Sequence, residues 1–149
     1  MPAGEAGSCY MMDFIHITKQ PLSIEQVTSL VAAPNLGGIN VFVGAVRNQT
    51  KGKKVVRLEY EAYEPMALSE MKKIALRVKE QWPLASIAIH HRVGLLQTGE
   101  AAVVIAVATP HRADAFAACQ FAIDTLKETV PIWKKEVFED GEEWVSAHP

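Results

Sequence analysis

The chain reads as an α+β protein, a largely antiparallel sheet with three packed helices. Three observations predict this. Short β-branched runs and amphipathic stretches follow one another in the order β-α-β-β-α-β-β-α-β-β. Hairpin or turn signals at residues 48–54, 97–100 and 140–141 join adjacent strands, which favours antiparallel neighbours. The helical stretches each carry an apolar stripe that must be buried against another element.

The elements follow in order. Residues 14–18 alternate apolar and polar side chains and open the fold as a strand. Ser23-Ile24-Glu25-Gln26 has the form of a capping box, and its helix ends before Pro34. A loop at 35–38 leads into 39–46, whose β-branched, apolar residues predict a well-buried strand. The polar stretch 48–54, containing Lys51-Gly52-Lys53-Lys54, is a hairpin loop. From Arg57 to Tyr63 the alternation is strict, with Leu58, Tyr60 and Ala62 on one face and Glu59, Glu61 and Tyr63 on the other.

Pro65 suits the start of a helix. Ala67, Met71, Ile74, Ala75, Val78 and Trp82 recur there at helical spacing, opposite Glu70, Lys72, Lys73 and Lys79. Pro83 ends it. Strands at 86–93 and 101–109 follow, joined by a turn at 97–100. The last helix spans 113–130, with Phe116, Cys119, Ile123, Leu126 and Val130 as its apolar stripe. Pro131 stops it, 132–138 is a strand, and Asp140-Gly141 turns the chain back through 143–145.

At 149 residues the chain is long enough for one domain with a core of its own. The expected division is a flexible tail at 1–12 and a single domain at 13–149. A net charge of −2 and 21% charged residues argue against a general nucleic-acid or membrane-surface binder. Two cysteines, Cys9 and Cys119, are too few for a disulfide framework or a zinc site, and Cys119 falls among apolar helix residues as a buried thiol. The opening MPAGEAGSCYMM lacks a basic stretch and a long apolar run, so it does not read as a secretory signal. No apolar run approaches the roughly 20 residues that cross a bilayer. The expected location is the cytosol.

Cations gather around the last helix. His111 and Arg112 stand where it begins, and free N–H groups there favour anions. Lys127 lies near its other end. Its stem borders the buried stripe beside Ile123 and Val130, a setting for proton transfer or carbonyl activation; from spacing alone, an ordinary Asp124–Lys127 surface pair is the better account. Lys134 and Lys135 are consecutive on a strand and point to opposite faces, so at most one joins a site on the sheet. Pattern alone does not choose between them. Arg47 closes the strand ending Gly44-Ala45-Val46, where a planar fork suits phosphate or carboxylate, or simply opens a hairpin on the surface. His90 and His91 face opposite ways, which argues against a shared metal. No cofactor motif stands out.

Taken together, FVGAVRN at 42–48, LEYEAYEPMA at 58–67, HHRVG at 90–94, PHR at 110–112 and IDTLKETVPIWKKE at 123–136 resemble the molybdopterin synthase large (catalytic) subunit. The wording looks closest to the eukaryotic members, and the similarity runs from about Phe14 to Trp144. The resemblance implies an α/β hammerhead-type fold and a homodimer of large subunits within a heterotetramer. It implies a small ubiquitin-like partner whose C-terminal Gly-Gly thiocarboxylate enters a pocket here, and sulfur transfer to cyclic pyranopterin monophosphate to build the molybdopterin dithiolene. Carried over by position, the essential lysines match Lys127 and Lys134. The substrate-binding residues match Arg47, His111 and Arg112, with Phe42 lining the pocket. Lys134 is thereby preferred to Lys135. Ile123 replaces a methionine of some relatives in the pocket wall. The ending WVSAHP offers only His148 where relatives carry a cation after the tryptophan. The competing reading is a non-catalytic homologue that holds the partner or an anionic ligand without turnover.

Overall fold

The two most fully buried strands are the inner pair of a four-stranded sheet. These are β5 (Ser86–Arg92) and β7 (Ala101–Thr109), flanked by β1 (Ile15–Thr18) and β2 (Gly38–Ala45) in the order β1-β5-β7-β2. Strand β1 lies parallel to β5 and the other pairs are antiparallel. The structure is a computed structural model that describes residues 14–146; the expected tail at 1–12, Cys9 and His148 lie outside them.

Helices cover both faces of this sheet, and for that reason β5 and β7 are buried along most of their length rather than at alternate residues. On one face, α2 (Glu64–Gln81) and α3 (Arg112–Thr129) pack Met71, Ile74, Val78, Ala118, Ala122 and Leu126 against Ile87, Ile89, Ile105 and Val107. On the other, α1 (Ile24–Val31) sets Val27 and Val31 on Ala88, Val104, Ala106 and Ala108. Burying one such isoleucine or valine contributes about 1.5–3 kcal/mol. The capping residue works as expected: the Ser23 hydroxyl accepts the Gln26 N–H at 3.1 Å.

A second sheet runs β3 (Gln49–Thr50), β4 (Lys53–Ala62), β8 (Ile132–Phe138), β9 (Gly141–Ser146), with β6 (Gly94–Gln97) also paired to β4. The β3–β4 hairpin turns at Lys51 and Gly52, both left-handed with φ 52° and 80°, as a type I′ turn requires. Val55, Leu58 and Leu96 form its core with Val46 and Ala102.

Three expectations need correction. Strand β2 is not well buried: it ends the first sheet, most of its residues are half-exposed and Ile39 is 44% exposed. An apolar run reports affinity for a covered surface, not a central place in the sheet. Phe116 is 57% exposed, and the buried side of α3 is instead Ala115, Ala118, Cys119, Ala122, Ile123 and Leu126. Those alanines let the helix lie close to the sheet. Third, β3 and β6 are additional strands. Gly94, at φ 93°, breaks the run after Arg92 so that Leu96 turns into the second core.

Candidate active site

Both sheets and the end of α3 meet around one cavity of about 450 Å³. Strand β2 supplies Phe42, Val43, Gly44 and Ala45, and Arg47 follows just beyond it. Gly44 keeps this wall thin, because a Cβ there would stand 2.7 Å from the Val103 side chain. Ile123, Leu126 and Lys127 enter from the last turns of α3, and Tyr60, His91 and Lys134 from β4, β5 and β8. Arg47, Lys127 and Lys134 thus border a cavity that also holds Tyr60 and His91 among apolar residues. Lys127 makes no ion pair with another described residue, so it is not the Asp124 surface pair that its spacing allowed.

Strand register separates the two consecutive lysines. Lys134 lies directly across from Tyr60, and Glu136 across from Leu58, so these four share a face. Lys135 lies across from Glu59 on the opposite face. There its Nζ is 2.9 Å from a Glu59 carboxylate oxygen, 3.7 Å from one of Glu142 and 5.2 Å from the Trp144 ring centre. The hydrogen bond from Lys135 holds the Glu59 carboxyl below its usual range and raises the lysine's own.

Three groups around the cavity carry weight that sequence reading did not assign. Glu136 is 4% exposed, with Oε1 3.7 Å from Lys134 Nζ and a buried Oε2 that has no hydrogen-bond partner among the described residues. Burial, then the Glu136 charge, pushes the Tyr60 phenol up to about 12, which keeps it a neutral donor. Burial drives His91 down to about 4, opposed in part by its Nδ1 hydrogen bond to the Arg92 carbonyl at 2.8 Å. The His91 and Tyr60 rings meet edge to face at 5.5 Å. Only the strict alternation of 57–63 hinted at this grouping, since the partners are far apart in the chain.

His111 and Arg112 are not in this cavity. His111 caps α3 with extended backbone and no side-chain cap bond, both residues are exposed, and His111 borders a separate 350 Å³ cleft with Trp82, Leu84 and Asp114. At 1.5 Å per residue, the helix sets them about 22–24 Å from Lys127. The expected single cluster of five cations is therefore two groups at opposite ends of one helix. Gly38 fixes the far group's place: a Cβ there would stand 2.8 Å from the Arg112 Cα. Among the described residues, no three His, Cys, Asp or Glu side chains gather as metal ligands, and no helix is long and apolar enough to cross a membrane.

Over most of its length the chain is similar to proteins of one kind. Residues 17–129 match the model of a family described as MoaE protein. The molybdopterin synthase catalytic subunit of Bacillus subtilis is 51% identical over 134 residues, covering 90% of this chain and 85% of that protein. The human protein of the same name is 48% identical over 132 residues, covering 89% and 70%. Bacterial and human relatives are thus comparably similar, and identity does not single out the eukaryotic members. The crystal structure of molybdopterin synthase from Staphylococcus aureus superposes with a TM-score of 0.87 at 45% identity, over 90% of this chain and 98% of that one. The chain belongs to the MoaE family.

Proposed function

We infer that this chain is the catalytic subunit of molybdopterin synthase. It transfers sulfur from the thiocarboxylated C-terminus of a small ubiquitin-like subunit to cyclic pyranopterin monophosphate. The observation that carries the reading is the cavity itself: Arg47, Lys127 and Lys134 converge on one half-enclosed space with Tyr60 and His91 in a chain whose relatives are named for this activity.

The reaction must bring together two anions, a thiocarboxylate and a substrate carrying phosphate. Unaided, they repel. Fixed cations in a site of low dielectric offset that repulsion and stabilise the charge that develops as sulfur moves. Lys127 stands beside the carrier's carbonyl and stabilises or protonates it. Lys134, held by Glu136 and opposite Tyr60, positions the pterin. Arg47 takes phosphate or carboxylate with its planar fork, and Phe42 lines the wall against the pterin. His111 and Arg112 join the same substrate only across a subunit boundary, presented by a second copy of the chain. Two large and two small subunits make up the assembly, which works in the cytosol.

Reconstitution tests the reading. Purified chain, thiocarboxylated partner and cyclic pyranopterin monophosphate together should yield the dithiolene product. A stable complex with the partner but no product would leave a non-catalytic binding module in its place.

A further inference from the structure

Sulfur delivered from a thiocarboxylate is, at first, bonded both to the carrier's acyl carbon and to the pterin. The carrier leaves only when water attacks that acyl carbon. The pocket's lysines and Arg47 bring positive charge and donors to this step, and Tyr60 adds a neutral donor; in their charged forms the lysines and Arg47 have no lone pair for water's proton. Glu136 does not line the cavity: one of its oxygens faces Lys134 at 3.7 Å and the other is buried away from the open space.

His91 differs. Its Nδ1 meets the Arg92 carbonyl at 2.8 Å, and a carbonyl only accepts, so Nδ1 carries the proton. Nε2 is then a bare lone pair on a ring that lines the cavity. The anchor is rigid. The Arg92 guanidinium is 2.8 Å from a Glu100 carboxylate oxygen and also donates to the Lys19 carbonyl at 3.3 Å, while the next amide, of Val93, bonds the Thr18 carbonyl at 2.8 Å. Across the strand pair His91 faces Val103, another residue of the cavity wall, and Tyr60 packs on its ring.

We propose that His91 is the proton acceptor for hydrolysis of the carrier–pterin thioester, through Nε2. The step balances: water oxygen bonds the acyl carbon and its proton passes to Nε2. The acyl carbon–sulfur bond breaks with its electron pair on sulfur, and the pterin keeps a thiolate. The carrier departs as a carboxylic acid that ionises, and His91 returns its proton to solvent. Burial keeps the ring neutral between turnovers, so the base is always in its working form. The assignment rests on the synthase reading above.

The test follows the carrier by intact-mass spectrometry through a single turnover with the small subunit bound. His91→Asn keeps an N–H for the Arg92 carbonyl but removes the acceptor. The covalent carrier–pterin adduct should accumulate and clear on the order of 100-fold more slowly than in wild type. His91→Gln, whose amide oxygen can accept a hydrogen bond but not a proton, should clear the adduct as slowly as the Asn variant, and recovery of the wild-type rate by Gln would overturn the proposal. A folded His91→Asn chain that clears the adduct at the wild-type rate would overturn the proposal. Neither adduct nor product from wild type would instead overturn the synthase reading, and this proposal with it. Should the Asn variant not fold, nitrogen-15 shifts of the wild-type ring decide: a proton on Nδ1 and a bare Nε2 are expected, and the opposite tautomer refutes the assignment.

Discussion

The two ends of α3 are built for different tasks. At its C-terminal end Lys127 sits half-buried beside Ile123 and Leu126, lining a half-enclosed space with Lys134, Tyr60 and His91. At its N-terminal end His111 and Arg112 are exposed, without the walls of a cavity shared with the lysines. Cation identity alone would class these groups together. Burial and facing partners separate them: one end gathers its cations around a half-enclosed cavity, whereas the other is exposed beside a separate cleft.

The largest expected contrast lies within the pocket end. Lys134→Ala should lower turnover about 10²–10³-fold, the scale of removing one pre-positioned charge donor. Lys135→Ala, on the far face with Glu59 and Glu142, should leave turnover near wild type, since it loses only partly exposed ion pairs. Parallel kinetics on the two variants would break the distinction of faces if both lost activity equally.

The exposed end makes a different prediction. A chain carrying His111→Ala with Arg112→Ala should be as inactive as Lys127→Ala, yet mixing the two should restore turnover. Random pairing gives mixed dimers half the time, each with one intact site of two, so about a quarter of wild-type activity returns. No recovery after subunit exchange would mean that each chain works alone.

His91 sharpens the account of the enclosed end through pH. Its folded pKa, about 4, lies below the ordinary histidine value of 6.5, so the unfolded chain binds the extra proton first. Stability should fall as pH drops from about 6.5 to about 4, by up to about 3 kcal/mol, and be flat above that window for this group. Denaturant melts at pH 7 and pH 5 would show it, and His91→Gln should remove that part of the slope. The smallest effect belongs to α1: Ser23→Ala should cost about 1 kcal/mol in the same melts and alter neither end of α3.

Much of this was legible in the chain. The hairpin at Lys51-Gly52, the Ser23 cap and the strands at 101–109 and 132–138 follow from local chemistry, and the structure reproduces them. What local pattern lacks is pairing between distant segments. It could not place β2 at a sheet edge, find β6, or bring Tyr60, His91 and Glu136 around Lys134, because those neighbours are set by register between strands tens of residues apart. Lys127, Lys134, Arg47 and Phe42 came together from resemblance to a family, and they also meet in one cavity. The same resemblance grouped His111 and Arg112 with them, although the predicted helix length already held the two ends more than 20 Å apart. Likeness collects the residues of a site without saying which copy of the chain supplies each.

The central claim is that the cavity at the C-terminal end of α3 does the chemistry, and Lys127 is its most direct probe. Lys127→Ala should fold with an unchanged unfolding midpoint and bind the thiocarboxylated partner. In a reconstituted single turnover with cyclic pyranopterin monophosphate, it should form product at least about 100-fold more slowly than wild type. Product at the wild-type rate from that variant would contradict the account and move the chemistry elsewhere on the molecule.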